Sequence, residues 1–224
     1  MPFAFVQSTS GAQANSATVP AAAFASANTA GNILIAIATG ASTATSITDT
    51  ANNTWTMRGT TQNGGTGISA IFTVIGCKGS ANTPTAHFSG AGTNWVTLVE
   101  YSVPPGTITL DATIGQANSA NVPVALESVT ASFNSGVNPY LIFISNAGHA
   151  STDTFTPGNS FTTDLKAAAG AATDSADYFS HKQGVGSGSQ TGSVTTSNAR
   201  DWNAYVLAFY AASGNFRCLL GVGT

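Results

Sequence analysis

The run Asn32-Ile33-Leu34-Ile35-Ala36-Ile37-Ala38-Thr39 decides the fold. It is rich in β-branched residues, is bounded by turn formers, and is too short and too weakly periodic to bury one stripe of a helix. The same kind of segment recurs from end to end, with apolar and small polar residues alternating between Gly, Asn, Pro and Ser. Strands are expected at Phe3–Ser8, Asn32–Thr39, Trp55–Thr60, Ser69–Ile75, Thr83–Ser89, Trp95–Ser102, Val129–Phe133, Tyr140–Ser145, Ala176–His181, Gly192–Thr196 and Tyr205–Tyr210. Inward-facing candidates are Ile33, Ile35, Ile37, Ile71, Phe72, Val99, Tyr101, Leu141, Phe143, Leu207 and Phe209. Helical periodicity is nearly absent; Asp164 to Ala172 reads equally as a short helix or a loop.

The decisive run has an echo. At an offset of about 107 residues, Phe24 and Asn32–Ile37 answer Phe133 and Tyr140–Ile144; Asn53-Thr54-Trp55-Thr56 answers Asn159-Ser160-Phe161-Thr162; and Trp95 before Leu98–Tyr101 answers Trp202 before Leu207–Phe209. The connection around Pro104–Val122 keeps strand-like alternation, unlike a linker. The expectation is an all-β fold, a single jelly-roll-like β-sandwich over residues 1–213 with two weakly repeated, interleaved halves. Residues 214–224 then form a C-terminal tail.

Only fifteen of the 224 residues are charged, six basic and nine acidic. A typical soluble chain carries about a quarter, so this surface is built from hydroxyls, amides and methyls, with little charge to keep copies apart. Without a basic stripe there is nothing to displace counterions from a phosphate backbone, so nucleic acid is not an expected partner. The apolar runs are too short to span a bilayer as helices, so no membrane partner is expected. Met1-Pro2-Phe3-Ala4-Phe5-Val6 lacks the basic and apolar regions of a secretory signal. Cys77 and Cys218 do not make a disulfide framework; two free thiols are the reading, with one bridge as the alternative.

The most specific local pattern is Ile47-Thr48-Asp49-Thr50-Ala51-Asn52-Asn53-Thr54-Trp55. Asp49, Asn52 and Asn53 suit a tight turn, since short polar side chains bond their own backbone and tolerate left-handed conformations. A calcium site needs six to eight oxygens, and this loop offers one carboxylate. His87, His149 and His181 are scattered, without the spacing of a zinc site. No Gly-x-Ser-x-Gly elbow is present, and Gly184–Ser189 lacks the Lys and helix of a phosphate cradle. Glu100 and Glu127 are the only glutamates. Alternation puts Glu100 opposite Val99 and Tyr101, as a solvent-facing or turn-bonding carboxylate, and nothing in the spacing makes the two meet across a scissile bond. No catalytic, cofactor or metal residues are therefore assigned.

Two other groups remain. Trp55, Trp95 and Trp202 lie near Asn, Asp or Thr and are candidate platforms for a glycan, against the ordinary use of Trp in a core. Phe216, Leu219 and Leu220 in the tail are costly to leave in water, and either pack on their own domain or form an arm laid on a neighbour.

The chain resembles a widespread group of bacterial and phage β-sandwich domains, mostly of unassigned function. The likeness rests on Asn32–Ile35, on Thr48–Trp55, on Leu98-Val99-Glu100-Tyr101-Ser102 with Leu110-Asp111-Ala112, and on Val206–Ala212. Asn52 replaces the usual Gly of the turn, which a left-handed Asn can absorb. The resemblance implies a protein of surfaces or phage particles and carries no catalytic residues across. With no signal peptide, the expectation is a non-enzymatic virion structural protein, made in the host cytoplasm and released by lysis. A capsid cement or decoration role comes first, with the major capsid protein or other virion proteins and further copies of the chain as partners. The alternatives are a tail or fibre component, or an extracellular carbohydrate-binding module or adhesin.

Overall fold

The computed structural model describes residues 3–64, 67–112, 114–119, 126–133, 139–147, 153–168, 176–183 and 187–211. These form eighteen strands and no helix. The first nine are β1 (Ala4–Ser10), β2 (Ala14–Asn15), β3 (Thr18–Pro20), β4 (Ile33–Gly40), β5 (Ala44–Asp49), β6 (Thr56–Asn63), β7 (Ile68–Ile75), β8 (Pro84–Phe88) and β9 (Thr93–Ser102). The second nine are β10 (Ile108–Leu110), β11 (Gly115–Ser119), β12 (Leu126–Phe133), β13 (Tyr140–Ala147), β14 (Phe155–Pro157), β15 (Thr162–Ala168), β16 (Ala176–Lys182), β17 (Gly188–Thr196) and β18 (Trp202–Ala211). The chain is the all-β sandwich with two repeated halves that its periodicity indicated.

The repeat is complete at the level of topology. One large sheet runs β1-β9-β4-β7-β6 with β2 also on β9, and its counterpart runs β10-β18-β13-β16-β15 with β11 also on β18; the small sheets are β3-β8-β5 and β12-β17-β14. Each strand of the first half thus has an equivalent nine strands later. Every described pairing is antiparallel and stays within one half, so the halves do not interleave as expected. Local alternation cannot tell which of two similar strands a third will join.

Each large sheet packs on its small sheet over its own core. The first core contains Phe24, Leu34, Ala36, Phe72, Phe88 and Leu98, and the second contains Phe133, Leu141, Phe143, Phe161, Tyr178 and Trp202. A third cluster joins the two large sheets back to back, with Ile33, Ile35, Ile37, Ile71, Val99 and Tyr101 facing Tyr140, Ile142, Ile144, Phe179, Leu207 and Phe209. The result is four stacked sheets. The central strands are therefore buried on both faces, which explains why β4 and β13 read as continuous apolar runs rather than strict alternations. All eleven inward-facing candidates are buried, but Phe72, Leu141 and Phe143 face a sandwich core while the other eight face the seam between halves.

Turn chemistry follows the sequence closely at one place. Asn52 has φ 54° and donates its N–H to the Asp49 carbonyl at 3.1 Å. Its repeat partner region uses Asn159 and Ser160 at φ 53° and 62°. Elsewhere the sequence reading needs correction. Residues 164–168 continue strand β15, neither helix nor loop; a register shift between Thr163 and Leu165 marks a bulge there. The pairing of Trp95 with Trp202 slips by one residue: Ile33 answers Tyr140, 107 residues on, but Tyr101 answers Phe209, 108 on. A one-residue slip turns a side chain to the opposite face, and Trp202 enters the second core while Trp95 projects from the Val99 and Tyr101 face.

Candidate functional site

The carboxylates show how this chain spends its few charges. Among the described residues five acidic side chains are buried: Glu100, Asp111, Glu127, Asp153 and Asp177. Glu100 lies opposite Val99 and Tyr101, as alternation requires, yet segment 26–32 covers that face and excludes solvent. Its Oε1 accepts the Thr29 backbone N–H at 2.9 Å and Asn32 Nδ2 at 2.6 Å, and its Oε2 accepts Gln7 Nε2 at 2.6 Å and Asn28 Nδ2 at 2.7 Å. Four donors on one buried carboxylate make it a structural anchor, because the desolvation cost is offset by charge-assisted bonds. Glu127 stands in the other half and accepts from the Ser145 hydroxyl.

Asp49 is equally committed. Its oxygens accept the Asn53 backbone N–H at 2.9 Å, Asn53 Nδ2 at 2.8 Å, Trp55 Nε1 at 2.9 Å and Asn82 Nδ2 at 3.2 Å. The turn that the sequence singled out is thus held by donors where a cation would need free oxygens. Among the described residues no group of three or more His, Cys, Asp or Glu is placed to hold a metal ion. Asp153 plays a similar part in the second half, accepting Asn198 Nδ2 at 2.6 Å with Arg200 Nε at 3.4 Å.

One titratable cluster crosses the seam, and the sequence did not reveal it. Tyr101 of β9 donates to Asp164 Oδ2 at 2.8 Å, and His181 Nδ1 of β16 lies 2.6 Å from Asp164 Oδ1. Asp164 occupies the β15 bulge, and such a bulge re-aims a side chain out of the strict alternation. The His181 ring stacks on Tyr140 at 5.2 Å, and Tyr140 stacks on Phe3 at 4.7 Å. Burial, reinforced by the Asp164 charge, pushes the Tyr101 hydroxyl well above its ordinary range, and Tyr140 moves the same way for the same reasons. Both phenols therefore stay protonated, and Tyr101 donates its hydrogen to Asp164. An Asp–His pair can orient a general base, but here the second carboxylate oxygen is taken by a tyrosine from the other half. Among the described residues, no other hydroxyl or thiol bonds to the pair. Its geometry is that of a clasp between halves.

The opposite rim of the seam is polar too. Tyr205 donates to the Ser69 carbonyl at 2.8 Å, Asn203 Nδ2 to the Gly67 carbonyl at 3.0 Å, and Gln116 Oε1 accepts the Thr60 N–H at 3.1 Å and its hydroxyl at 2.7 Å. Gly59, at φ +69°, leaves room for that amide: a Cβ there would lie 1.7 Å from Gln116 Nε2. An apolar centre with a polar rim is the anatomy of a protein–protein interface.

The remaining sequence candidates fall as follows. Trp95 and Trp202 are 3% and 7% exposed, so neither presents a free face to a sugar ring, while Trp55 is half-buried and packs against the first core. Cys77 is buried, donates to the Thr29 carbonyl, and has its thiol pushed up to about 12, chiefly by burial. His87 bonds Thr48 Oγ1 at 2.9 Å. Phe216, Leu219, Leu220, Cys218 and His149 lie outside the described residues.

The two small sheets present similar outer faces. The outer face of the first small sheet carries Thr18, Pro20, Ser46, Thr48, Thr85 and His87, and that of the second carries Leu126, Ser128, Thr130, Ser132, Thr191 and Thr195. Neither row contains Lys, Arg, Asp or Glu. Thr130 and Thr191 bond hydroxyl to hydroxyl across the strands at 2.6 Å. No described helix is long and apolar enough to cross a membrane. In comparisons with known proteins, no family model, no curated protein and no solved structure matches this chain.

Proposed function

We propose that this chain is a non-enzymatic virion structural protein, most specifically a capsid cement or decoration protein of a phage. The observation that carries the reading is the distribution of charge: carboxylates are consumed as internal anchors, while both outer sheets offer neutral rows of hydroxyls and methyls. Such faces meet neighbours without like-charge repulsion and with many hydrogen-bonding groups available. Binding only the assembled shell would stabilise it by mass action. The burial of Trp95 and Trp202 leaves the carbohydrate-binding alternative with the half-buried Trp55 alone of its three platforms.

The test is whether the protein rides on particles. Virions purified from a phage carrying this gene should contain the chain in many copies by quantitative mass spectrometry, and deletion of the gene should lower the temperature at which the shells release their DNA. Particles free of the chain, with unchanged heat release on deletion, would sink the proposal.

A further inference from the structure

The edges of the four sheets are treated unequally. An exposed strand edge offers unpaired N–H and C=O groups to any other strand, and natural proteins blunt it by shortness, proline, bulges or cover. Here β1, β5, β6 and β15 each carry a register shift, β3 and β14 are three residues long and end in Pro20 and Pro157, and β10 is three residues long. The short β11 lies against β6, bridged by Gln116 and by Asn118 Nδ2 to the Asn63 carbonyl at 3.3 Å. Only β12 escapes. Its eight residues pair in unbroken register with β17, from Leu126 with Thr195 to Phe133 with Gly188, and among the described residues no strand pairs with its other edge.

The side chains of β12 leave that edge approachable. Val129, Ala131 and Phe133 point into the second core, and the one charged residue, Glu127, also points inward and accepts from Ser145. Its outward row is Leu126, Ser128, Thr130 and Ser132, with Leu126 49% exposed. Alternation of faces allows two copies of this strand to pair antiparallel about Val129 or Thr130. In either register the outward row meets only hydroxyls and an apolar side chain.

We propose that β12 pairs antiparallel with β12 of a second copy of this chain, joining two three-stranded sheets into one continuous sheet across a two-fold axis. The proposal stands on the strand edges and is independent of the virion reading. Its occupant is a second copy because a neutral row is complementary to itself, and because every other described edge is blunted against pairing.

Sedimentation of the full chain over a wide concentration range, with amide exchange followed at low and high concentration, tests this. The wild type should reach twice the monomer mass, with slower exchange in residues 126–133 as concentration rises. Thr130→Lys with Ser132→Lys should hold the protein at the monomer mass, because lysines meet near the axis. Thr191→Lys, which adds the same charge on the central strand β17, should leave the dimer intact; Leu126→Lys replaces the double variant if that fails to fold. A wild type monomeric at every concentration overturns the proposal. So does a dimer that survives the edge lysines or gains protection elsewhere, an outcome that leaves high-copy assembly standing through another face.

Discussion

The two halves share one topology and solve the same problem with different chemistry. Where β4 begins and β9 ends, the first half sets Asn32 and Glu100 into a buried polar anchor; at the equivalent ladder positions the second half has Pro139 and Ala208. Ala36 of the first half is answered by Phe143 of the second, whose ring fills the space that Gly192 leaves open. A fold is thus satisfied either by a fully bonded carboxylate or by apolar packing, in line with the near equivalence of buried ion pairs and hydrophobic replacements of similar volume. What the fold does not tolerate is half of either solution.

That comparison breaks most readily at Glu100. Glu100→Ala strands four donors in a buried site and should cost about 3–5 kcal/mol in urea unfolding, the range for removing one partner of a buried charge network. Amide exchange on this variant then shows how far the halves depend on each other. Loss of protection in β4, β7 and β9 alone would mean that the second half holds without the first, and simultaneous loss in β13, β16 and β18 would mean that the seam couples them. In the second half, Gly192→Ala should cost about 1–3 kcal/mol by overpacking, since a Cβ there would lie 2.5 Å from Phe143 Cδ2. Full stability for this variant would contradict the close contact described.

The seam itself is probed more gently. Tyr101→Phe keeps the ring and removes the donor to Asp164, for an expected loss of about 1–3 kcal/mol from the carboxylate left short of a partner. If thermal unfolding splits into two transitions, the clasp is what makes the halves melt together. The smallest effect expected is a pH dependence. Cys77, Tyr101, Tyr140 and Tyr205 all have their acid forms favoured in the fold, principally by burial. A group raised in this way contributes stability below its unfolded value and loses it as pH climbs toward its folded value. Stability should therefore begin to fall above about 8.5, the ordinary thiol value, with the thiol contribution gone near 12. Cys77→Ala should flatten the first part of that decline, and an unchanged profile would show that the tyrosines alone cause it.

Much of this was legible in the chain. The strongest strands were read at their positions from alternation and turn residues, and the repeat was visible in Asn32–Ile37 against Tyr140–Ile144. The short strands β2, β3 and β14 are too brief to show a period, whereas β10 and β11 fall in the Pro104–Val122 stretch, whose strand-like alternation shows without their bounds. Strand β5 runs into the turn pattern at Ile47–Asp49, where turn residues obscure its alternation. Strand β15 was missed because its bulge at Asp164 interrupts the alternation that identifies a strand. The seam cluster was unreadable for a related reason: Tyr101, Asp164 and His181 share no local pattern, and only the packing of two sheets brings them within hydrogen-bonding distance. A carboxylate beside a bulge, with a histidine on a neighbouring strand, is the signal that was available.

By itself the sequence determined the β class, the doubling, the left-handed turn at Asn52 and the poverty of charge, because each is a property of composition or of neighbours in the chain. The tertiary structure decided that the halves close separately, that both faces of the central strands are buried, and that Glu100 is an anchor rather than a surface charge. Alternation says which face a side chain takes, but what covers that face depends on residues far away in the chain. It also decided which edge stays open, since an edge exists only once all the other strands have found their partners.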